Sequence, residues 1–193
     1  MSNFHIRRLV AADANAYRAL MLDAYATHRI EFISTRAERE GQPIAWWAER
    51  IGDAHSSKCA FGAYIDSVLI GTVALEFETR EKTRHKATLI GMYVSERARG
   101  GGVGRQLVEA AQAAARAREG VHLVQLTVTE GNTAALKLYE RCGFVAFGSE
   151  PRAIFAEGQF RGKVHMWCDL RAGELYLKRT VSEDVLIVSF KEL

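Results

Sequence analysis

A run of glycines at one point of the chain limits the folds that this sequence can adopt. Gly100-Gly101-Gly102-Val103-Gly104 places four glycines in five positions. A β-rich run at 87–94 precedes them, and residues 105–119 follow with apolar side chains at helical spacing. The next run, 121–129, is again β-branched and strand-like. A strand, a long helix and a second strand form a right-handed crossover, so we expect these two strands to be parallel in a mixed sheet.

The rest of the chain adds antiparallel strands and further helices. Two β-rich runs at 59–65 and 68–77 are separated only by Asp66-Ser67, the length of a tight hairpin turn. Together with 87–94 they predict an antiparallel meander. Other predicted elements are a strand at 6–10, a helix capped by Asp13, a loop at 34–42, a helix from Pro43, a helix capped by Asn132, and strands at 144–147 and 164–170. The sequence therefore predicts an α/β (α+β) fold with a mixed, mostly antiparallel sheet flanked by helices.

Composition and charge exclude several classes of protein. The chain has 193 residues, 48% of them hydrophobic and 25% charged, which is typical of one folded domain rather than of a disordered protein. Its net charge of +3 is too small to indicate nucleic acid binding. The sequence has no apolar run of about 18 residues, the length that a membrane helix needs, and no secretory signal near Met1. We therefore expect a cytoplasmic protein with neither nucleic acid nor membrane as a partner.

The cysteines and histidines do not form a metal-binding pattern. Cys59, Cys142 and Cys168 include no CxxC pair, which predicts reduced thiols. His165 and Cys168 are the closest pair of potential ligands, but three positions apart on a strand they point to opposite faces of the sheet. We expect no metal site.

The glycine run has the properties of an anion-binding site. Glycine lets successive backbone N–H groups turn toward one ligand, and no Cβ blocks its approach. The first turn of the following helix adds unpaired N–H donors and the positive end of the helix dipole. Arg97, Arg99 and Arg105 place positive charge beside these donors. We interpret the run as a phosphate or pyrophosphate site, and the alternative is a flexible turn without a ligand.

Two common phosphate-binding motifs fit the run poorly. A P-loop needs Gly-Lys-Ser/Thr at its end, whereas Gly104 is followed by arginine and glutamine. The dinucleotide fingerprint needs glycines at positions one, three and six, and neither Gly100 nor Gly102 begins such a pattern. Glu130 follows the next strand, where a ribose-binding acid is expected, so a nucleotide-dependent oxidoreductase stays an alternative.

Two blocks of the sequence resemble the N-acetyltransferase (GNAT) family. Arg99-Gly100-Gly101-Gly102-Val103-Gly104 fits the family's cofactor loop, Gln/Arg-x-x-Gly-x-Gly/Ala. The block from Asn132 to Phe144 is similar to its second signature, Asn-x-x-Ala-x-x-x-Tyr-x-x-x-Gly-Phe. The resemblance covers residues 4–170 in the order of elements and is specific over 89–145. It implies a sheet whose fourth strand splays away from the fifth, in a domain at 1–170 followed by a C-terminal extension at 171–193.

The resemblance also implies a role for each matching residue. The pyrophosphate of acetyl-CoA, the implied co-substrate, is held by the backbone N–H groups of Arg99, Gly100, Gly101, Gly102, Val103 and Gly104. Met92 and Val94 pair their backbones with the pantetheine arm as an added strand, and Asn132 contacts the same region. Tyr139 lies near the sulfur as a general acid, because a phenol with a pKa near 10 is protonated at neutral pH and can protonate a leaving thiolate. The alternative for Tyr139 is a core aromatic residue on an amphipathic helix.

The sequence offers several candidates for the general base. Glu76 alternates with apolar residues on a predicted strand, so its side chain faces the other side of the sheet, where it can reach the acceptor directly or through water. A solvent-facing glutamate is the alternative. The family often has a carboxylate on the fourth strand, where this chain has Thr88, so Glu78, His85 and Tyr93 stay candidates. The resemblance also places the acceptor beside Tyr25, His28, Arg29, Glu31 and Phe32.

The resemblance predicts one activity and one alternative. We expect an N-acetyltransferase that moves the acetyl group of acetyl-CoA to a primary amine by direct attack in a ternary complex. The amine acceptor is a small molecule or a peptide. An acyl-CoA-binding sensor or regulatory domain without turnover is the alternative. Residues 175–178 and 185–190 of the extension have strand character, which predicts extra strands or a homodimer contact.

Overall fold

The structure is a computed structural model that describes residues 4–53 and 56–171. These residues form seven strands in one sheet and five α-helices. The strands are β1 (His5–Arg8), β2 (Lys58–Ile65), β3 (Val68–Phe77), β4 (Lys86–Val94), β5 (Leu123–Thr129), β6 (Val145–Ala156) and β7 (Gln159–Asp169). The helices are α1 (Ala14–Thr27), α2 (Arg36–Glu40), α3 (Ile44–Ile51), α4 (Val103–Ala117) and α5 (Thr133–Arg141).

The sheet has the strand order β1-β2-β3-β4-β5-β7-β6. Of the described neighbours in it, β4 and β5 run parallel and the others run antiparallel. β2 and β3 are joined at Asp66 and Ser67, whose φ angles of 45° and 67° are those of a tight hairpin turn. The prediction of an α/β (α+β) fold with a mixed, mostly antiparallel sheet is confirmed.

The parallel strands β4 and β5 pair with each other over only three residues. Residues 86–88 lie opposite 123–125, and the described ladder between these two strands ends there. Farther along β4, two residues, Gly91 and Met92, lie opposite the single residue Val73 of β3. Such a β-bulge bends the strand that carries it, so β4 turns away from β5. An open gap separates the carboxyl-terminal halves of the two strands, and the predicted splayed pair is confirmed.

Helices cover the two faces of the sheet unequally. α4 and α5 pack on one face, where Leu107, Val108, Ala111 and Ala115 of α4 are fully buried at helical spacing. α1 and α3 pack on the other face, where Trp47 of α3 is fully buried. Their contacts on this second face are concentrated on β2 to β4, so β5, β7 and β6 extend beyond them.

The region that the sequence predicts as a loop, residues 34–42, contains the short helix α2. Thr35 caps this helix, because its Oγ1 accepts a hydrogen bond from the Glu38 N–H at 3.3 Å. The Glu38 carboxylate in turn accepts a hydrogen bond from the Thr35 N–H at 2.8 Å. This reciprocal capping box holds a helix of five residues that has no buried side chain.

Strands β6 and β7 are much longer than the predicted strands at 144–147 and 164–170. They form one hairpin of 12 and 11 residues. Pro151 and Arg152 interrupt the pattern, since the pairing of β6 shifts in this part of the strand and Arg152 has a φ of 56°. The hairpin tolerates them because β6 is an edge strand, where proline does not remove a ladder hydrogen bond.

Asp13 is the N-cap residue of α1, as the sequence predicts, but its carboxylate makes no capping hydrogen bond to this helix. It accepts two hydrogen bonds from the Arg7 guanidinium at 2.7 and 2.8 Å, one from the Val10 N–H and one from the Tyr64 hydroxyl. The bonds from Arg7, followed by those from Val10 and Tyr64, lower the pKa of Asp13 to about 2. Asp13 therefore ties the start of α1 to β1 and β2.

Replacing Asp13 should weaken the fold in a pH-dependent way. Because its folded pKa is depressed, the contribution of Asp13 to stability is complete above the unfolded value of 3.8 and is lost as the pH falls through about 2. We expect Asp13→Asn to lower the free energy of unfolding at pH 7 by about 1 to 2 kcal/mol. Urea unfolding at pH 7 and at pH 2 measures this difference, which should shrink at the lower pH. The control is Glu157→Gln in the exposed β6–β7 turn, and equal stability of the two variants at pH 7 contradicts the assignment.

The predicted C-terminal extension, 171–193, lies outside the described residues apart from Arg171. The strand character of 175–178 and 185–190, the domain boundary at residue 170 and the homodimer contact therefore stay predictions.

Candidate active site

The loop before α4 presents a row of backbone donors. Gly102 is the N-cap of α4 with a φ of 85°, and Gly100 has a φ of 81°, so both need the left-handed backbone that favours glycine. The first helical hydrogen bond runs from the Gln106 N–H to the Gly102 carbonyl at 3.1 Å. No described residue accepts a hydrogen bond from any backbone N–H between Gly100 and Arg105. These donors, at the positive end of a 15-residue helix, fit a phosphate group.

Gly104 brings this loop against the edge of β4. A Cβ at this position would lie 3.2 Å from Leu138 Cδ2 of α5 and 3.3 Å from Met92 Cε of β4. A larger residue would therefore push the start of α4 away from both elements. In contrast, a Cβ at Gly100 or Gly102 would meet nothing within 4 Å, so the ligand side of the loop is open.

The backbone of Val94 faces the gap between β4 and β5. The Ser95 N–H donates to the Ile70 carbonyl at 2.9 Å, so in the antiparallel alternation the N–H and C=O of Val94 point away from β3. The Arg99 guanidinium covers this edge, because its Nε donates to the Val94 carbonyl at 3.1 Å. Its Nη2 lies 2.7 Å from Nε2 of His28, which accepts the hydrogen bond because arginine can only donate. Pairing of Val94 with a ligand strand thus requires Arg99 to move.

Tyr139 and Asn132 belong to α5 and its cap. The Tyr139 side chain is 6% exposed, with its ring 5.7 Å from that of Phe144. Burial raises the pKa of Tyr139, so the phenol is protonated at neutral pH, and no described residue forms a hydrogen bond with its hydroxyl. The Asn132 Oδ1 accepts from the Ala135 N–H at 3.1 Å, which leaves its amide N–H groups for another partner.

The candidate bases lie at different distances from the bulge. Glu76 forms an ion pair with Lys58 at 3.0 Å and pairs with Thr88, four residues before Met92 on β4. At a rise of about 3.3 Å per residue, Glu76 is roughly 13 Å from Met92 along the strand. Glu78 and His85 precede β4 at the opposite end of the sheet from the glycine loop. A proton can reach Glu76 from an amine beside Met92 only through water.

Sequence reasoning did not find Asp23, the partner of Tyr93. The Tyr93 hydroxyl donates to Asp23 Oδ2 of α1 at 3.1 Å. Burial, the largest cause, raises the pKa of Tyr93, so its hydroxyl keeps its proton at neutral pH. Asp23, Thr27 and Tyr93 line a cavity of about 360 Å³. The spacing of Asp23 on a predicted helix gives no signal of this contact, because the two residues are 70 positions apart.

The loop after α1 spans the gap on the face that α1 covers. On the β4 side, the rings of His28 and Phe32 lie 5.6 and 6.5 Å from that of Tyr93. On the β5 side, the Thr129 hydroxyl is within 3.2 Å of the Ile30 carbonyl, to which it donates. Of the predicted acceptor residues, the structure therefore brings His28 and Phe32 to the gap. The other three are Tyr25, which is buried against Phe32, and Arg29 and Glu31, which are exposed in the loop.

Two classes of feature are absent from the part of the chain that the structure describes. It contains no group of three or more His, Cys, Asp or Glu side chains that could hold a metal ion. None of its helices has both the length and the apolar character of a membrane span.

Comparison with known proteins gives the family. The sequence model of the acetyltransferase (GNAT) family matches residues 18–144, which include the glycine loop, the bulge of β4 and α5. The chain belongs to the GNAT family of acetyltransferases. This confirms the resemblance seen in the two sequence blocks, and the GNAT fold matches the splayed sheet described above.

Individual relatives differ in their sequence identity to this GNAT chain and in the fraction of each chain that the match covers. It is 30% identical over 140 residues to the mycothiol acetyltransferase of Salinispora tropica, covering 72% of this chain and 43% of the relative. It is 36% identical over 91 residues to the L-methionine sulfoximine/L-methionine sulfone acetyltransferase of Pseudomonas aeruginosa, covering 47% of this chain and 48% of the relative. The chain thus spans about half or less of the length of these curated relatives. The solved structure of yncA from Salmonella typhimurium with its cofactor acetyl-CoA has a TM-score of 0.70 at 21% identity, and the likeness covers 88% of this chain and 95% of that one.

Two neighbouring glycines of the loop provide a test of the anion site. Gly102→Ala forces a side chain into a left-handed backbone, whereas Gly101→Ala does not, and a Cβ at Gly101 would have only the Ala98 carbonyl oxygen near it, at 4.0 Å. Since the left-handed conformation costs an L-residue about 1 to 2 kcal/mol, we expect Gly102→Ala to weaken acetyl-CoA binding about 5- to 30-fold. Gly101→Ala should change the Kd less than twofold. Calorimetric titration measures both, and equal Kd values for the two variants contradict the site.

Proposed function

We propose that this chain transfers the acetyl group of acetyl-CoA to a primary amine by direct attack in a ternary complex. The observation that carries the proposal is the row of N–H donors from Gly100 to Arg105 beside the open edge of β4. One solved relative of the same fold holds acetyl-CoA, and two curated relatives are named as acetyltransferases. Because L-methionine sulfoximine and L-methionine sulfone are small amines, the relative named for them supports a small-molecule acceptor.

Binding in this proposal uses backbone groups of the glycine loop and of β4, together with the side chain of Asn132. The N–H groups at Gly100 to Gly104 hold the pyrophosphate, whereas the Arg99 N–H, predicted to join them, already donates to the Glu96 carbonyl at 3.2 Å. Met92 and Val94 pair with the pantetheine arm along the free edge of β4. The Asn132 amide donates to the same arm. Arg99 releases the Val94 carbonyl when the arm arrives, and its guanidinium then stays close to the phosphates.

The acetyl transfer itself uses the Met92 N–H and the Tyr139 hydroxyl. Bound acetyl-CoA supplies a thioester carbonyl carbon, to which an uncharged amine forms the new C–N bond while the C–S bond breaks. The Met92 N–H, at the bulge, donates to the oxygen where negative charge develops. The Tyr139 hydroxyl gives its proton to the leaving thiolate, and its buried, protonated state suits it to that role. Holding both substrates in one gap adds the advantage of orientation.

The ammonium of the acceptor must lose a proton before it attacks. We assign Asp23 as the base that takes this proton through Tyr93, because the Tyr93 hydroxyl already donates to the Asp23 carboxylate at 3.1 Å. In this relay the amine gives a proton to the Tyr93 oxygen as Tyr93 passes its own to Asp23. Glu76 stays the second candidate, and it acts through water because of its distance from the bulge.

Removing the Tyr139 hydroxyl should slow the reaction without affecting binding. We expect Tyr139→Phe to lower kcat about 10- to 100-fold, because the thiolate then leaves without a proton donor. The Kd of acetyl-CoA should change less than twofold. The matched control is Tyr64→Phe, which removes a hydroxyl bonded to Asp13 on the far side of the sheet. Thiol release from acetyl-CoA measures the rate, and an unchanged kcat in Tyr139→Phe removes Tyr139 from the mechanism.

A pair of carboxylate variants distinguishes the two candidate bases. We expect Asp23→Asn to lower kcat/KM at pH 7 about 100-fold, because the relay from Tyr93 then has no acceptor. Glu76→Gln should stay within threefold of the parent. The pH dependence of kcat/KM is measured for both variants over pH 6 to 10. The opposite result, a large loss only in Glu76→Gln, assigns the base to Glu76.

Turnover and ligand choice separate the proposal from its alternatives. Thiol release across a panel of primary amines is expected for the enzyme. Binding of acetyl-CoA without release by any amine identifies a sensor or regulatory domain instead. Tighter binding of NADH than of acetyl-CoA in the same titration points to a nucleotide-dependent oxidoreductase.

A further inference from the structure

The Arg99 side chain joins the cofactor side of the site to the acceptor side. Its Nε donates to the Val94 carbonyl at 3.1 Å, on the backbone edge that the pantetheine arm needs in the proposed complex. Its Nη2 donates to His28 Nε2 at 2.7 Å, at the end of α1. Because Nε and Nη2 belong to one rigid plane, a movement of the guanidinium that releases Val94 also disturbs the bond to His28.

The bond from Arg99 determines the state of the His28 imidazole. Arginine has no acceptor atom, so the lone pair of Nε2 faces Arg99 and the ring proton is on Nδ1. The Glu31 carboxylate lies 3.9 Å from Nδ1 and favours that tautomer. Arg99 therefore occupies the one lone pair with which a neutral imidazole accepts a hydrogen bond.

His28 also begins the loop that crosses the gap on the acceptor side. Its N–H donates to the Ala24 carbonyl at 2.9 Å as the C-cap of α1, and its side chain is 19% exposed. Two residues farther along, the Ile30 carbonyl accepts a hydrogen bond from the Thr129 hydroxyl at 3.2 Å. The loop is thus attached to β5 by Thr129 and to the cofactor loop by Arg99.

Acetyl-CoA competes with Arg99 in the proposed complex and also offers it a new partner. A strand-like ligand donates its own N–H to the Val94 carbonyl, which the guanidinium now covers. The pyrophosphate lies at the glycine loop, which begins at the next residue, Gly100. Bonds from a guanidinium to phosphate are charge-assisted and stronger than bonds to a neutral carbonyl and a neutral imidazole. Binding of the cofactor therefore favours the transfer of Arg99 from His28 to the phosphates.

We propose that Arg99 couples the two substrates: acetyl-CoA draws Arg99 away from His28, and the freed Nε2 then accepts a hydrogen bond from the amine of the acceptor. The inference rests on the proposed acetyl transfer and adds an order of binding to it, with acetyl-CoA before the amine. Arg99 is a positioning residue and His28 an acceptor-binding residue. The rings of His28 and Tyr93 are 5.6 Å apart, so one amine can contact both, and its proton still leaves through Tyr93.

NMR spectra of the imidazole nitrogens test the release of His28 directly. The full chain is labelled with 15N-histidine, and the His28 resonances are assigned by their loss in His28→Gln. We expect saturating CoA, which carries no acetyl group to transfer, to shift the Nε2 resonance of His28 in the wild-type chain. Arg99→Lys should show the shifted resonance without CoA and change little when CoA is added, because one ammonium does not replace the arginine fork.

The control for this experiment makes the same substitution at a neighbouring arginine. Arg97 is exposed, lies two residues before Arg99 and takes no part in the bonds to Val94 and His28. Arg97→Lys should therefore respond to CoA as the wild-type chain does. Titration of CoA into each variant gives its Kd, so that every spectrum is recorded at saturation.

Binding of an amine tests the coupling itself. The probe is the primary amine that gives the fastest thiol release from acetyl-CoA in the wild-type chain. We expect saturating CoA to lower the Kd of this amine at least fivefold in the wild-type chain and less than twofold in Arg99→Lys. His28→Leu should raise KM for the amine at least 10-fold while kcat changes less than threefold. His28→Gln, whose side-chain oxygen can accept the same hydrogen bond, should restore KM to within threefold of the wild-type value.

The outcomes separate this inference from the proposed function. A His28 resonance that CoA leaves unchanged, or that CoA shifts equally in the wild-type chain and Arg99→Lys, overturns the coupling. A Kd of the amine that does not depend on CoA overturns it as well, and each of these results leaves acetyl transfer standing. Failure of acetyl-CoA to bind, or absence of thiol release with every amine, overturns the proposed function and the inference with it.

Discussion

The short parallel contact between β4 and β5 is the constraint on which the site depends. The two strands pair over three residues, and the bulge at Gly91 and Met92 then bends β4 away. If the ladder continued, β5 would occupy the backbone edge of β4 that the pantetheine arm needs in the proposed complex. The crossover through α4 explains why the gap persists, because the same connection that makes the strands parallel also places the start of α4 at its mouth.

The gap offers different chemical groups on the two faces of the sheet. On the α4 face, the loop at Gly100 to Arg105 offers backbone donors to an anion. On the α1 face, the loop that contains His28 and Phe32 connects Tyr93 to Thr129. In the proposed reaction, a ligand with phosphates and a second ligand with an amine therefore meet from opposite faces, which suits direct transfer without a covalent enzyme intermediate.

Local patterns in the sequence predicted the fold and the glycine loop. The stripe of Leu107, Val108 and Ala111 and the spacing of Gly100 to Gly104 are short-range signals, and the structure agrees with both. The length of β6 could not be predicted, because Pro151 interrupts a strand that only its edge position permits. Contacts between residues that are far apart in the sequence could not be predicted either. The Tyr93 hydroxyl donates to Asp23, and the Asp13 carboxylate accepts hydrogen bonds from Arg7 instead of from the first turn of α1.

Hydrogen exchange measures most directly whether the gap is the acetyl-CoA site. The backbone N–H groups at 92–94 and 100–105 lie at the free edge of β4 and in the glycine loop, so a ligand that pairs with them should slow their exchange. We predict that saturating acetyl-CoA slows exchange at least 10-fold in peptides that cover 89–105, and that NADH at the same concentration does not. Unchanged exchange in these peptides with acetyl-CoA, or equal protection by NADH, would contradict the assignment of the gap.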